Sequence, residues 1–304
     1  MSHSVRTLVD SFLAWIETRN RPRTVAYYRS FLERFAAAVG DLPVAELRRH
    51  HLLSWGRTWH ELQSVQRLFN WAHVEMELID RNPFATIKRP RPGRRRRVLD
   101  RKEVIRILRG GERNFRGFLL AMIETIARPQ EVRSFRWSQL RWDRGTLTHE
   151  QALREGEAHF ELWEYKARDR RADPHEPRRV FISRRLGRFL CRLALRAPAG
   201  VDFIFLNSRG EPWTANAVRL RVRRLRSSCG LDADGRGEKV VAYSLRHTSA
   251  TNASAAGVPD RVLAEMMGHT TTRTTARYQH IGVEHIRRAL CSWTVTRRRK
   301  KPSA

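Results

Sequence analysis

The sequence has few cysteines and no long apolar run, and each shortage excludes a class of protein. Its cysteines, Cys191, Cys229 and Cys291, lie far apart among 304 residues, which argues against a disulfide framework and against a zinc knuckle. No run of about 18 apolar residues could span a bilayer, and the N-terminus lacks a basic segment followed by an apolar core. We therefore expect a cytoplasmic protein with reduced thiols and no membrane partner.

A metal-binding pattern is also missing, although the sequence contains 12 histidines. None is paired with cysteines or acids at the spacing of metal ligands, and His280 and His285 are predicted to be surface residues. We therefore expect no metal site.

Acidic charge is scarce relative to basic charge. The chain has 60 Lys+Arg against 31 Asp+Glu and a formal net charge of +29, and only six of its basic residues are lysines. The positive electrostatic field of such a charge attracts a polyanion from a distance, and contact with the protein releases the counterions of the polyanion. Nucleic acid is therefore the leading predicted partner.

The first ninety residues have helical periodicity and predict a small bundle. Apolar residues fall on one stripe within residues 5–16 and on another within 25–35, and two further helices are predicted over 44–55 and 60–74. These helices form a predicted domain at 1–88. The following segment, 89–98, is rich in arginine and proline and is predicted to be a basic linker, either a solvated charge run or a strap across phosphates.

Beyond the linker, the sequence predicts a mixed α+β domain at 99–293 and a basic tail at 294–304. Helices are expected near 104–108 and 115–126. The runs 160–165 and 178–183 are rich in aromatic and β-branched residues, and turn residues between them indicate a hairpin. The predicted fold class is mainly α with a small antiparallel sheet.

Four short segments contain candidate catalytic residues. They are residues 125–132 with Arg128, the hairpin with Lys166, residues 243–248 with Arg246, and residues 267–278 with His269 and Tyr278. A single arginine match means little in an arginine-rich chain, whereas lysine is rare. A glycine, a histidine and a tyrosine at the spacing of the last segment have no obvious joint structural reason.

In their order and spacing, these segments resemble the tyrosine recombinase, or phage integrase, family. The family pattern is an arginine in T-G-x-R-x-x-E, a hairpin lysine, H-x-x-R, and G-H or G-W followed nine residues later by a tyrosine. Arg128, Lys166, Arg246, His269 and Tyr278 take these places, since 278 − 269 = 9. The resemblance implies a helical core-binding, SAM-like domain at 1–88 and a tyrosine recombinase catalytic domain at 99–293.

The resemblance also implies a reaction. Tyr278 attacks the scissile phosphate of double-stranded DNA, Arg128 and Arg246 bind its non-bridging oxygens, Lys166 protonates the leaving 5′ oxygen, and His269 donates a hydrogen bond to the phosphate. The 3′-phosphotyrosine keeps the bond energy, so no ATP, metal or other cofactor is expected. A homotetramer on two DNA sites is implied, with the C-terminal helix docked either on a neighbouring subunit or on its own domain.

The sequence departs from the family pattern at two positions. Tyr243 stands at the usual histidine of H-x-x-R and is a weaker candidate site residue, because a phenol can donate to phosphate but is a poor base. Ile126 stands where the family usually has glycine, close to Arg128. Three alternatives stay open: a catalytically inactive DNA-binding relic or repressor of a mobile element, a type IB topoisomerase-like enzyme, and a basic RNA-associated protein.

Overall fold

The computed structural model describes residues 4–90, 97–142, 146–165, 175–232 and 238–276. The chain divides into two compact units, Met1–Arg94 and Arg95–Ala304. Most of the predicted basic linker and all of the predicted basic tail lie outside the described residues. No helix in the described ranges is long and apolar enough to cross a membrane.

The first unit is a helical bundle. Its elements are helices α1 (Val5–Glu17), α2 (Pro22–Val39), α3 (Arg49–Trp55) and α4 (Trp59–Asn70), a 3-10 turn at Val44–Glu46, and a π-helical continuation of α4 at Trp71–Glu75. Local sequence signals set the helix starts: the Ser4 side chain accepts a hydrogen bond from the backbone N–H of Thr7, and Thr58 and Glu61 form a capping box. Both predicted apolar stripes face the core.

The prediction of a single helix over 44–55 is wrong. The 3-10 turn ends at Glu46, and Leu47 and Arg48 are extended before α3 begins. Leu47 is only 2% exposed, and the extended backbone lets it enter the core. The ring of His51 then accepts a hydrogen bond from the backbone N–H of Arg48, at 3.0 Å, so the start of α3 has its own cap.

The second unit combines helices with one small sheet. Its helices are α5 (Arg101–Gly110), α6 (Arg113–Thr125), α7 (Pro129–Arg133), α8 (His149–Glu155), α9 (Arg184–Ala194), α10 (Ala215–Ser228), α11 (Ala242–Ala255), α12 (Asp260–Met267) and α13 (Thr272–Thr275), with a 3-10 turn at Trp137–Gln139. Strands β1 (Leu140–Arg141), β2 (His159–Leu162) and β3 (Arg178–Phe181) form an antiparallel sheet in that order. The predicted fold class, mainly α with a small antiparallel sheet, is confirmed.

The predicted hairpin strands pair with each other, in the register Phe160↔Val180 and Leu162↔Arg178. Both members of each pair are buried, and the Phe160 ring stacks on Phe135 with a centroid separation of 4.2 Å. This apolar face belongs to the main core of the second unit. A smaller cluster of Ile126, Ala250, Leu263 and Met267 lies where α6, α11 and α12 meet, and the candidate site is built around it.

Candidate active site

The turn after α6 contains Ile126, whose backbone conformation leads the chain toward the candidate site. Ile126, directly after the helix, is left-handed, with φ 54° and ψ 15°, a conformation that usually requires glycine and costs a β-branched residue about 1–3 kcal/mol. Its side chain is only 4% exposed and packs against Ala250 and Leu263, which offsets the cost. The chain thus keeps the backbone conformation that glycine would favour, although isoleucine occupies the position.

Arg128 lies at the start of α7, where Pro129 is the first helical residue. Glu131 accepts hydrogen bonds from the Arg128 backbone N–H at 2.7 Å and from its Nη1 at 2.8 Å. Nη2 donates to the carbonyl oxygen of Gly268 at 2.9 Å. The Arg128 side chain is 12% exposed, so the guanidinium is held on two sides and still reaches the surface.

Arg246 lies in the second turn of α11 and is only 3% exposed. Its Nη1 donates to the carbonyl of Ile126 at 2.7 Å and its Nη2 to that of Met267 at 2.7 Å. One guanidinium therefore ties the turn after α6 to the end of α12. Nη2 also lies 3.3 Å from Nε2 of His269, which brings two of the predicted site residues into direct contact.

The position of His269 indicates the tautomer of its ring. A guanidinium has donors only, so Nε2 of His269 faces Arg246 as an acceptor. Nδ1 lies 2.9 Å from the Thr275 hydroxyl and accordingly carries the proton that this oxygen accepts. Thr275, on α13, is fully buried, and sequence reasoning gave it no role.

The C-terminal end of α12 is the centre of the cluster. Gly268 is left-handed, with φ 61°, and backbone hydrogen bonds from Gly268 to Glu265 and from His269 to Ala264 close the helix end. The last carbonyls of a helix carry partial negative charge. Three guanidiniums donate hydrogen bonds to successive carbonyl oxygens here: Arg178 to that of Met266 at 3.0 Å, Arg246 to that of Met267, and Arg128 to that of Gly268.

Arg178 is a member of this cluster that sequence reasoning missed. It is the first residue of β3 and is fully buried, and its Nη2 lies 3.6 Å from Oε2 of Glu131. A Cβ on Gly268 would overlap its guanidinium. An arginine in a chain so rich in arginine gives no sequence signal, and its partner Met266 lies far along the chain.

Glu131 carries the negative charge at the centre of these arginines and is 2% exposed. Burial by itself raises the pKa of its carboxyl, but the charges of Arg178 and Arg128 and the hydrogen bonds from Arg128 outweigh burial and leave the pKa below the ordinary value of 4.5. The carboxylate is therefore ionised at neutral pH. With three guanidiniums against one carboxylate, the cluster keeps excess positive charge and suits an anion such as a phosphate diester.

The remaining candidate residues lie apart from these contacts or outside the described ranges. Tyr243 is in the first turn of α11 and is 43% exposed, one helical turn before Arg246. Lys166 follows the buried Tyr165, and Tyr278 follows Ala276 by two positions; both lie outside the described residues. Within the described ranges, no group of three or more histidine, cysteine, aspartate or glutamate side chains could hold a metal ion.

Comparison with known proteins identifies a family for more than half of the chain. Residues 97–285 match the model described as the phage integrase family. This match contains every candidate site residue.

Individual relatives extend the similarity. Tyrosine recombinase XerC of Alcanivorax borkumensis is 24% identical over 301 residues, which are 94% of this chain and 92% of that protein. Tyrosine recombinase XerC 2 of Ralstonia nicotianae is 34% identical over 86 residues, 28% of this chain and only 23% of that protein. A crystal structure of a lambda integrase tetramer bound to a Holliday junction has the same fold, with TM-score 0.71 and 16% identity over 91% of this chain and 78% of that one.

Proposed function

Because the chain belongs to the phage integrase family of tyrosine recombinases and is thus a site-specific DNA recombinase, we propose that it cuts and rejoins DNA through a bond to Tyr278. The observation that carries this proposal is the meeting of Arg128, Arg246 and His269 at the end of α12. Three residues that are distant in sequence come together with excess positive charge. Such an arrangement fits a scissile phosphate.

Arg128 and Arg246 bind the non-bridging oxygens of that phosphate. Each guanidinium is a planar fork that stays protonated. Before DNA arrives, the carbonyl of Gly268 holds Arg128, and the carbonyls of Ile126 and Met267 hold Arg246. Preorganised donors stabilise charge that develops in the transition state, and one such donor is worth about 3–4 kcal/mol. This stabilisation offsets much of the cost of ionising a tyrosine at neutral pH, which is about 4 kcal/mol for a reference pKa near 10.

His269 donates a further hydrogen bond to the phosphate through Nε2. In the DNA-free arrangement this nitrogen accepts from Arg246, so the ring has to change tautomer. The Thr275 hydroxyl on Nδ1 allows the change, because a hydroxyl can both accept and donate. Nδ1 releases its proton to solvent and accepts a hydrogen bond from Thr275, while Nε2 takes up a proton from solvent, so no additional charge enters the site.

The covalent step balances without a cofactor. The phenol oxygen of Tyr278 forms a bond to phosphorus while the bond from phosphorus to the 5′ oxygen breaks. The ammonium of Lys166 gives its proton to the departing oxygen, and the tyrosine proton passes to water, or to the neutral amine that Lys166 becomes once it has given up its own proton. A returning 5′-hydroxyl reverses the step, because the phosphotyrosine keeps the energy of the broken bond.

DNA is the partner that the positive charge, the site and the family together support. Double-stranded DNA is expected to contact the core-binding domain at 1–88 and the catalytic domain at 99–293, with the linker at 89–98 across the phosphates. By likeness to the lambda integrase tetramer, the active assembly is a homotetramer on two DNA sites. The protein would act in the cytoplasm on nucleoid DNA, in integration, excision or dimer resolution.

The test uses a nicked suicide DNA substrate that contains the sequence flanking the encoding element. Wild type should form a covalent protein–DNA adduct, and Tyr278→Phe should form none while binding the same DNA with the same dependence on salt. Tight, salt-dependent binding without an adduct in wild type would instead favour a catalytically inactive DNA-binding protein. Relaxation of supercoiled DNA that requires no particular site would favour a topoisomerase.

A further inference from the structure

Arg178 is a buried arginine whose contacts lie within the candidate site. Its side chain is fully buried, although burying a guanidinium is costly unless it is paired and hydrogen-bonded. Nη2 meets both requirements at the candidate site, since it donates to Met266 O at 3.0 Å and faces Glu131 at 3.6 Å. The next residue, Arg179, points the opposite way on the same strand and is exposed.

The contacts of Arg178 lead directly to Arg128. Oε2 of Glu131 faces Arg178 and accepts from the Arg128 backbone, while Oε1 accepts from Arg128 Nη1. The carboxylate is therefore shared between two guanidiniums, and each limits where it can lie. Without Arg178, Glu131 could rotate fully toward Arg128 and neutralise it, which would withdraw that guanidinium from an incoming phosphate.

Arg178 also limits which helix carbonyls the other arginines use. It occupies the carbonyl of Met266, so Arg246 and Arg128 bind the next two, Met267 and Gly268. Its guanidinium packs where a side chain on Gly268 would lie. The same group thus fills the space behind the turn that presents His269.

We propose that Arg178 is a positioning residue of the recombination site, which acts through Glu131 and the end of α12 to keep Arg128 aimed at the scissile phosphate. This inference rests on the proposed function. Arg178 itself is less exposed than Arg128 and Arg246 and is not expected to touch DNA. Its effect on cleavage should therefore depend on how much negative charge Arg128 has to stabilise.

The experiment compares two suicide substrates, one with a normal scissile phosphate and one with a methylphosphonate there. Replacing a non-bridging oxygen by methyl removes the negative charge, so cleavage depends less on a well-placed guanidinium. Arg178→Met is expected to slow single-turnover cleavage of the phosphate by about 10- to 100-fold, the effect of losing a hydrogen bond to a charged group. On the methylphosphonate the loss should shrink to about threefold or less.

Arg179→Met is the matched control, because it removes a guanidinium from the exposed face of the same strand, and it should leave both rates nearly unchanged. If Arg178→Met does not fold, Arg178→Lys takes its place: it keeps the charge beside Glu131 but lacks the planar fork. Equal losses on both substrates, or no loss, would overturn the inference. Absence of an adduct already in wild type would refute the proposed function, and the role of Arg178 with it.

Discussion

Glu131 offers the most direct test of how the arginine cluster is held together. Substitution by glutamine keeps the size and one oxygen acceptor but removes the charge that Arg128 and Arg178 share. The carboxylate is 2% exposed and lies 2.8 Å from Arg128 Nη1 and 3.6 Å from Arg178 Nη2. Removing one partner of a buried ion pair typically costs about 3–5 kcal/mol, because the remaining charge is left uncompensated. We expect a loss of that size at pH 7 in the free energy of unfolding.

The same substitution should change how stability depends on pH. In the folded protein the pKa of Glu131 lies below its ordinary value of 4.5, because the two arginines outweigh burial. A group with a lowered folded pKa contributes stability that is complete above the unfolded value and is lost as pH falls through the folded one. The difference in unfolding free energy between wild type and Glu131→Gln should therefore be largest near neutral pH and decrease below about pH 4.5.

Urea unfolding at a series of pH values measures both effects. Glu155→Gln is the control: its carboxylate is 53% exposed and faces an exposed Arg184 at 3.3 Å, so a cost of at most about 1 kcal/mol is expected. If Glu131→Gln costs no more than this control, or if its cost is the same from pH 3 to pH 7, the account of Glu131 as the charge that holds the cluster together is wrong.

Three further predictions concern single positions in or near the site. At Ile126 the left-handed backbone is strained, so Ile126→Gly should be more stable than Ile126→Ala by about 1 kcal/mol in urea unfolding, although both lose the buried side chain; the opposite order would refute the strain. The rate of wild-type cleavage should increase between neutral and mildly alkaline pH, because no histidine stands at position 243 to accept the tyrosine proton. Tyr243→His should raise the cleavage rate at pH 7 by about 10-fold or more and make the rate less dependent on pH. A flat wild-type profile would contradict it. Gly268→Ala should destabilise the protein by about 1–3 kcal/mol, because alanine is strained in the left-handed backbone conformation. It should also slow cleavage, because its methyl group displaces Arg178. An unchanged rate of adduct formation would argue against that displacement.

Local patterns in the sequence were sufficient for much of the fold. The stripes of α1 and α2, the paired strands β2 and β3 and the helix predicted near 115–126 follow from periodicities that neighbouring residues determine. The prediction failed at Leu47 and Arg48, where helical spacing continues but the core requires Leu47 to approach on an extended backbone. Periodicity reports which residues are apolar, and it does not report the direction from which each one enters the core.

The sequence by itself determined the identity and order of the catalytic candidates, because their residue types and spacing resemble the pattern of the tyrosine recombinase family. The tertiary structure alone decided how Arg128, Arg246 and His269 are held. The contacts of Arg178, Glu131 and Thr275 depend on partners that are distant in the chain or on donor and acceptor roles, and a list of residues cannot show either. One arginine among so many becomes distinguishable only when the fold buries it against a carboxylate and the end of a helix. The sequence indicates which side chains can act on a phosphate, and the fold determines where their charged groups lie.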